Sequence, residues 1–437
     1  MIDINKVVVL GANGTMGAGG GEVFAAGGCD VVFLARTHEK AHEGLVAAQN
    51  MAKSQRIADR ISVGTYNDDL EDAVAKADLI FESLAEDLSL KQSFFAKVDQ
   101  CRRPDSIVAT VSSGLSIADM ARGRSESFRR NFLGIHLFNP PNVIVGTEVI
   151  PHAETDPALL EGMLALLQTR FGREAIVCNN QPAFAGNRVG FKLLNEVAIL
   201  AAEHGVAFMD YLIGPYTGRA MPPLATVDLV GWDVHKAIVD NVHANTKDEA
   251  HDLFAMPPYM EELLKHGHLG NKTPEKGGFY RRAKEGKQTL TLVLDPKTGA
   301  CKDSRDTPVP SVPFVEQMKR LNRIGRYREA FDVFANATGP EANLARRVIL
   351  GYVSYGLNRV GENEVVRSAR DIDRIMGFGF NWAPPTVLAD LIGAKTTLRL
   401  LEALRLPIPR VLQRAAEQPN ERLFREPHVN IGRFFAG

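Results

Sequence analysis

Along the first 150 residues, short apolar runs rich in β-branched side chains alternate with stretches where apolar positions recur every three or four residues. The runs KVVVL, DVVFLA, ADLIFES, SIVATVS and FLGIHLF predict strands, and the segments between them predict amphipathic helices. That rhythm builds βαβ units around a parallel sheet. After CNNQPAFAGNRVGFKLLNEVAILAAEHG the strand signals nearly vanish and long Ala- and Leu-rich helical patterns take over, so a helical region is expected from about Pro182.

The helical region carries an internal repeat. MPPLATVDLVG, residues 221–231, and APPTVLADLIG, residues 383–393, share a Pro-Pro pair, an aspartate (Asp228, Asp390) and a terminal glycine in register, and FMDYLIG precedes one as DIDRIMG precedes the other. Two related all-α units follow from this. TLVLDPKTGACKDSRDTPVPSVP, which mixes Pro, Gly, Ser and charge, reads as the linker between them. The expected domains are 1–181, 182–300 and 301–437.

Composition narrows the class. The 437 residues are 45% hydrophobic and 24% charged, enough to bury more than one core. Lys plus Arg total 51 against 52 Asp plus Glu, with no basic stripe, so nucleic acid is not an expected partner. Cys29, Cys101, Cys178 and Cys301 lie far apart without a CxxC pair, which fits a reducing compartment and no zinc site. No apolar run is long enough to cross a membrane and no leader precedes the first strand, so a cytoplasmic location is expected. His235, His243 and His251 recur every eight residues, a spacing that spreads them around a helix, so no metal is expected.

Two stretches carry candidate chemistry. In VVVLGANGTMGAGGG, residues 7–21, a strand runs into glycines and then a helix, the arrangement that holds a dinucleotide pyrophosphate at a helix N-terminus in a Rossmann domain. Gly11, Gly14 and Gly17 read G-x-x-G-x-x-G, one residue longer than the usual G-x-G-x-x-G, so Ala12 and Asn13 must form a wider bend before a helix beginning near Thr15 and Met16. The acid that ordinarily binds the adenosine ribose about 20 residues on is missing: DVVFLARTHEK offers Ala35 and then Arg36. A guanidinium there could pair with a 2′-phosphate, which opens NADP beside NAD. The alternative is a solvated Arg36 with the ribose held otherwise.

In FLGIHLFNPPNVIVGTEVI, residues 132–150, His136 lies in an apolar strand, Asn139-Pro140-Pro141 turns the chain, and a second extended run brings Glu148 back beside it. A carboxylate against an imidazole fixes its tautomer and favours its protonated form, as a general base for an alcohol proton requires. Without a G-x-S-x-G elbow, an acyl-hydrolase triad is not supported.

The chain resembles the 3-hydroxyacyl-CoA dehydrogenases. Gly134-Ile135-His136-Leu137-Phe138-Asn139-Pro140 and Thr147-Glu148-Val149-Ile150 nearly reproduce the family's G-x-H-F-F-N-P and V-E-V-I. ADLIFESLAEDLSLKQSFF, TVSSGLSI, QPAFAGNRVGFKLLNEV and HLGNKTPEKGGFYRR resemble further family segments, and IDRIMGFGFNWAPP resembles the second helical unit of long, hydratase-fused members, though no hydratase is expected here.

The resemblance implies NAD(P)-dependent oxidation of (S)-3-hydroxyacyl-CoA thioesters in fatty-acid β-oxidation, with His136 as base and Glu148 stabilising the imidazolium. Ser113 and Asn187 would orient the substrate oxygen and the His, with Ser112 open as the alternative hydroxyl. Gly11, Asn13, Gly14, Thr15, Met16, Gly17 and Arg36, with Glu82 and Lys91 on the nicotinamide side, would hold the cofactor. An acyl-CoA would be the partner molecule, and the chain either a homodimer or a monomer whose second helical unit covers the first. Oxidation of another 3-hydroxy acid on the same machinery, or a non-catalytic nucleotide-binding relative, are the alternatives. Two departures from the family are a Pro182-Ala183-Phe184 turn where a glycine is usual, and Met221-Pro222-Pro223 in place of P-x-G-P.

Overall fold

The computed structural model describes residues 2–285, 288–418, 422–426 and 428–435; the outer domain limits at 1 and 437 lie outside the described residues. The chain divides into two compact units. The first comprises residues 1–185 with 363–367 and 378–380, and the second comprises the remainder.

The first unit is built on eight strands: β1 (Lys6–Leu10), β2 (Asp30–Ala35), β3 (Ile61–Thr65), β4 (Leu79–Glu82), β5 (Ile107–Thr110), β6 (Phe132–Leu137), β7 (Gly146–Ile150) and β8 (Glu174–Val177). Their order is β3-β2-β1-β4-β5-β6-β7-β8. All neighbours run parallel except β6 and β7, which pair antiparallel. Helices cover both faces, which is why the central strands are apolar and buried throughout instead of alternating. The order reverses between β1 and β4, the switch point where open α/β sheets place their ligand crevice. Helix α1 (Thr15–Ala26) follows β1, and α2 (His38–Ala52) follows β2, its first turn capped by Thr37, whose hydroxyl accepts from the Lys40 N–H.

Two strands have no counterpart in the hydrophobic pattern. β3 (ISVGT) carries Ser62 and Gly64 at a sheet edge, and β8 (EAIV) is a four-residue strand at the other edge. Segments distant in sequence complete this unit: Asn179 donates its N–H to the Val365 carbonyl at 2.9 Å, and Phe380 packs edge-on against Phe138 with centroids 5.7 Å apart.

The second unit is mainly helical, and its repeat is visible in what the aspartates do. Asp210 accepts the N–H groups of Leu224 (2.7 Å) and Ala225 (3.1 Å) at the start of helix Pro223–Val230. Asp373 likewise accepts the N–H (3.2 Å) and hydroxyl of Thr386 at the start of helix Pro385–Ile392. Asp228 accepts from Phe279 N–H, Tyr280 N–H and the Trp232 indole; Asp390 accepts from Leu423 and Phe424 N–H. Each Pro-Pro pair supplies the cap and first residue of its helix, where proline's fixed φ fits and its missing N–H costs nothing.

Two expectations need correction here. The stretch read as a linker is structured: most of β10 (Gln288–Leu294) and all of β11 (Cys301–Asp303) come from it, and with β9 (Tyr280–Glu285) they form a three-stranded antiparallel sheet. Thr-Leu-Thr-Leu-Val-Leu is a strand alternation, and Asp295 and Gly299 close the turn beyond it. The eight-residue histidine spacing also does not run along one helix. That helix is Trp232–Asn245, and the chain then folds back so that the His243 and His251 rings stack with centroids 4.2 Å apart. None of the four cysteines is in a disulfide, and no described helix is long and apolar enough to cross a membrane.

Candidate active site

The site elements of the first unit lie at the ends of its strands. Gly11 leaves β1 at φ +82°, and a Cβ there would sit 2.2 Å from the Ser83 carbonyl oxygen. A Cβ on Gly17 would sit 2.4 Å from the Gly11 oxygen, so these glycines allow a tight bend and a close helix. The extra residue of the motif is absorbed by a turn closed from Gly14 N–H to Gly11 O at 3.1 Å, with Ala12 buried and Asn13 exposed. Gly14 caps α1 without a side-chain bond, and a Cβ there would meet only the Gly11 oxygen, at 3.5 Å. Thr15 and Met16 form the first helical turn.

A cavity of about 420 Å³ opens beside this turn, with Gly11, Asn13 and Gly14 on one side and Arg36, Lys40 and Tyr66 on another. Tyr66 was not singled out by any motif. Its hydroxyl accepts the Gly11 N–H at 2.9 Å and its ring packs edge-on against Phe94 at 4.9 Å. Burial pushes this phenol above its ordinary range, keeping it neutral. Open backbone, a helix N-terminus and cationic side chains around one cavity fit a dinucleotide's phosphates.

Glu82 and Lys91 meet, but beneath the surface. The Lys91 ammonium donates to Glu82 Oε1 at 2.7 Å and to the Leu84 carbonyl at 3.3 Å, and the pair is wholly buried. Glu82 also accepts the Leu84 N–H at 2.5 Å and the Thr110 hydroxyl at 2.6 Å. This pair braces the loop after β4. The acid nearer the surface is Glu86, absent from the expected set. Its carboxylate lies 3.5 Å from the Lys91 ammonium and accepts the Ser112 hydroxyl at 2.5 Å and the Ser113 N–H at 3.0 Å. Glu86 stands five residues ahead of Lys91, immediately before the Asp87 cap of helix Leu88–Cys101, and that placement is the signal that could have found it. Ser112 is buried with its hydroxyl on Glu86, whereas Ser113 is half-buried.

His136 on β6 stands directly opposite Glu148 on β7 in the antiparallel register. Its Nδ1 is 2.6 Å from Glu148 Oε2, with the histidine 4% exposed and the glutamate fully buried. The other Glu148 oxygen accepts the Ala185 N–H at 2.9 Å and the Cys178 thiol at 3.5 Å. Phe138 and Phe184 flank the imidazole, with ring centroids 5.1 and 5.8 Å away. Ala183 and Phe184 both hold positive φ, +58° and +50°, an unusual pair for residues with side chains. That kink aims Ala185 N–H at the glutamate. With the glutamate ionised, Nδ1 carries the proton, which leaves the Nε2 lone pair to accept one. Asn187 belongs to the second unit, buried in the first turn of helix Gly186–His204.

Residues 6–181 match the NAD binding domain of 3-hydroxyacyl-CoA dehydrogenase and residues 184–282 match its C-terminal domain. A probable 3-hydroxyacyl-CoA dehydrogenase of Bacillus subtilis is 29% identical over 96% of this chain, which spans 55% of that relative's length. The mitochondrial hydroxyacyl-coenzyme A dehydrogenase of Rattus norvegicus is 31% identical over 64% of this chain and 91% of its own. The crystal structure of 3-hydroxybutyryl-CoA dehydrogenase from Escherichia coli shares the fold, with a TM-score of 0.68, 22% identity, and 95% and 99% of the two chains covered.

Proposed function

The chain belongs to the 3-hydroxyacyl-CoA dehydrogenase family, and on that premise we propose that it oxidises (S)-3-hydroxyacyl-CoA to 3-oxoacyl-CoA, in fatty-acid β-oxidation, with His136 as the general base. The observation that carries this reading is the buried contact of 2.6 Å between His136 Nδ1 and Glu148 Oε2. A bound nicotinamide supplies the hydride acceptor. His136 Nε2 takes the substrate's hydroxyl proton as the C3 hydrogen leaves with its electron pair, so that C3 and its oxygen become a carbonyl. The Glu148 carboxylate, held by Ala185 N–H, faces the imidazolium that this transfer creates and offsets its charge from a buried position. Ser113 is assigned the hydroxyl that orients the substrate oxygen, with Ser112 as the alternative, and Asn187 the orienting amide, both on the family resemblance.

The dinucleotide is assigned to the cavity at Gly11–Gly14, with Glu86 on the loop after β4 toward its nicotinamide end and the buried Glu82–Lys91 pair bracing that loop from behind. The test is His136→Gln. Removing a general base of this kind costs on the order of 10²–10⁴-fold in turnover, read as acetoacetyl-CoA-dependent consumption of reduced cofactor, while reduced-cofactor binding followed by fluorescence stays unchanged. Wild-type turnover in that variant would end the assignment.

A further inference from the structure

The adenosine end of the cavity departs from what an NAD site needs. NAD sites hold the two ribose hydroxyls with a carboxylate at the end of the second strand, which also repels a 2′-phosphate. Here β2 ends in Ala35, buried and without a polar side-chain atom, and the next residue, Arg36, is exposed and lines the cavity. Among the described residues Arg36 has no ion-pair partner. Lys40 lines the same wall one turn into α2, close enough for the Arg36 charge to act on it. Lys40 is paired with Glu43, so the charge left unpaired on this wall is that of Arg36. Glu43 binds Lys40 at 2.8 Å on the exposed face of α2, and neither it nor Glu39 lines the cavity. Tyr66 closes the floor as a neutral phenol tied to Gly11.

We infer that this site selects the 2′-phosphorylated dinucleotide, NADP(H), with Arg36 as the selecting residue and Lys40 in support. The inference rests on the dinucleotide reading of the cavity given above. A 2′-phosphate brings a charge of about −1.5 to −2 at neutral pH, and a planar guanidinium offers it paired N–H donors, a geometry that a single ammonium does not match. The 2′-hydroxyl of NAD(H) would meet that guanidinium with no acceptor to satisfy it, so discrimination runs against NAD(H) as well as toward NADP(H).

The experiment separates the adenosine end from catalysis by using fragments. Calorimetric titration of the full chain with adenosine 2′,5′-bisphosphate and with AMP should show the bisphosphate binding at least tenfold more tightly. The difference should shrink as salt is raised, because exposed charges are screened beyond about 8 Å at physiological ionic strength. In Arg36→Ala the bisphosphate should lose that advantage while AMP changes less than twofold, which also reports an intact fold. Equal affinities for the two fragments in the wild-type chain would overturn the inference. So would an equal loss of both in Arg36→Ala, which would make Arg36 a platform for adenine. In either case NADH and NADPH would still bind and the dinucleotide reading would stand. If neither fragment and neither dinucleotide bound, that reading would fail and the selectivity with it.

Discussion

Ala183 shows how much of the site's geometry is bought with backbone strain. At φ +58° its Cβ crowds the following carbonyl, at a cost of roughly 1–2 kcal/mol, and the return is an Ala185 N–H on Glu148 and a Phe184 ring against His136. Ala183→Gly should therefore raise stability by about 0.5–1 kcal/mol, the relieved strain being partly offset by the greater freedom of glycine in the unfolded chain. The urea midpoint should rise at constant slope; a fall would show that no strain is held there. The sequence exposed the departure, an alanine where the resembled family has glycine, but not its conformation, which depends on contacts with β6 and β7. His136 and Glu148 were legible because they face each other across one local hairpin. Glu86 was not, because its partners Lys91, Ser112 and Ser113 come from two other elements.

Among the elements, three of the repeated aspartates stand out, since Asp210, Asp228 and Asp373 each hold the start of a helix or a strand from a buried position. Burial pushes Asp210 up to about 7 and Asp228 up to about 6, against an ordinary 3.8, despite the N–H groups that favour their ionised forms. Asp373, at the position matching Asp210, is pushed up to about 8. A carboxyl raised in the folded state binds its proton more tightly there than in the unfolded chain, so its contribution is full below about pH 4. It is lost as pH climbs through 6 to 8. The second unit should thus melt at progressively lower temperature between about pH 4 and pH 8. Asp210→Asn should flatten that slope whatever it does to the absolute melting temperature; an unchanged slope would assign the pH dependence elsewhere. The repeat was readable because Pro-Pro and Asp recur in register. The β9–β11 sheet was not, because a half-buried strand bounded by Asp, Pro and Gly has the composition of a linker.

On the scale of the molecule, the second helical half is tied into the first by a partly buried ionic cluster. Asp248 accepts from Arg188 at 2.7 Å, Tyr355 at 2.8 Å and Arg359 at 2.9 Å, and Arg359 also donates to Glu249 at 3.0 Å. Around it, helix Gly186–His204 is buried on nearly every side, and helix Pro340–Asn358 comes close at glycines: a Cβ on Gly351 would lie 2.8 Å from the Lys192 ammonium, and one on Gly356 3.5 Å from Val189. The rat relative matches only 64% of this chain, so a chain cut after Pro310 tests whether the first half stands alone. Cutting there strips the cover from Val189 and its neighbours and leaves Asp248 with one of its three partners. Removing those partners leaves Asp248 with Arg188 and bares a helix face where Val189 lies beside Arg188, Lys192 and Glu196, a surface that was buried in the full chain. The shortened chain should therefore self-associate, pairing Gly186–His204 faces between copies, and light scattering should report a dimer or larger species. A well-folded monomer, with the full chain's helical signal per residue, would show that the second half is not needed as cover.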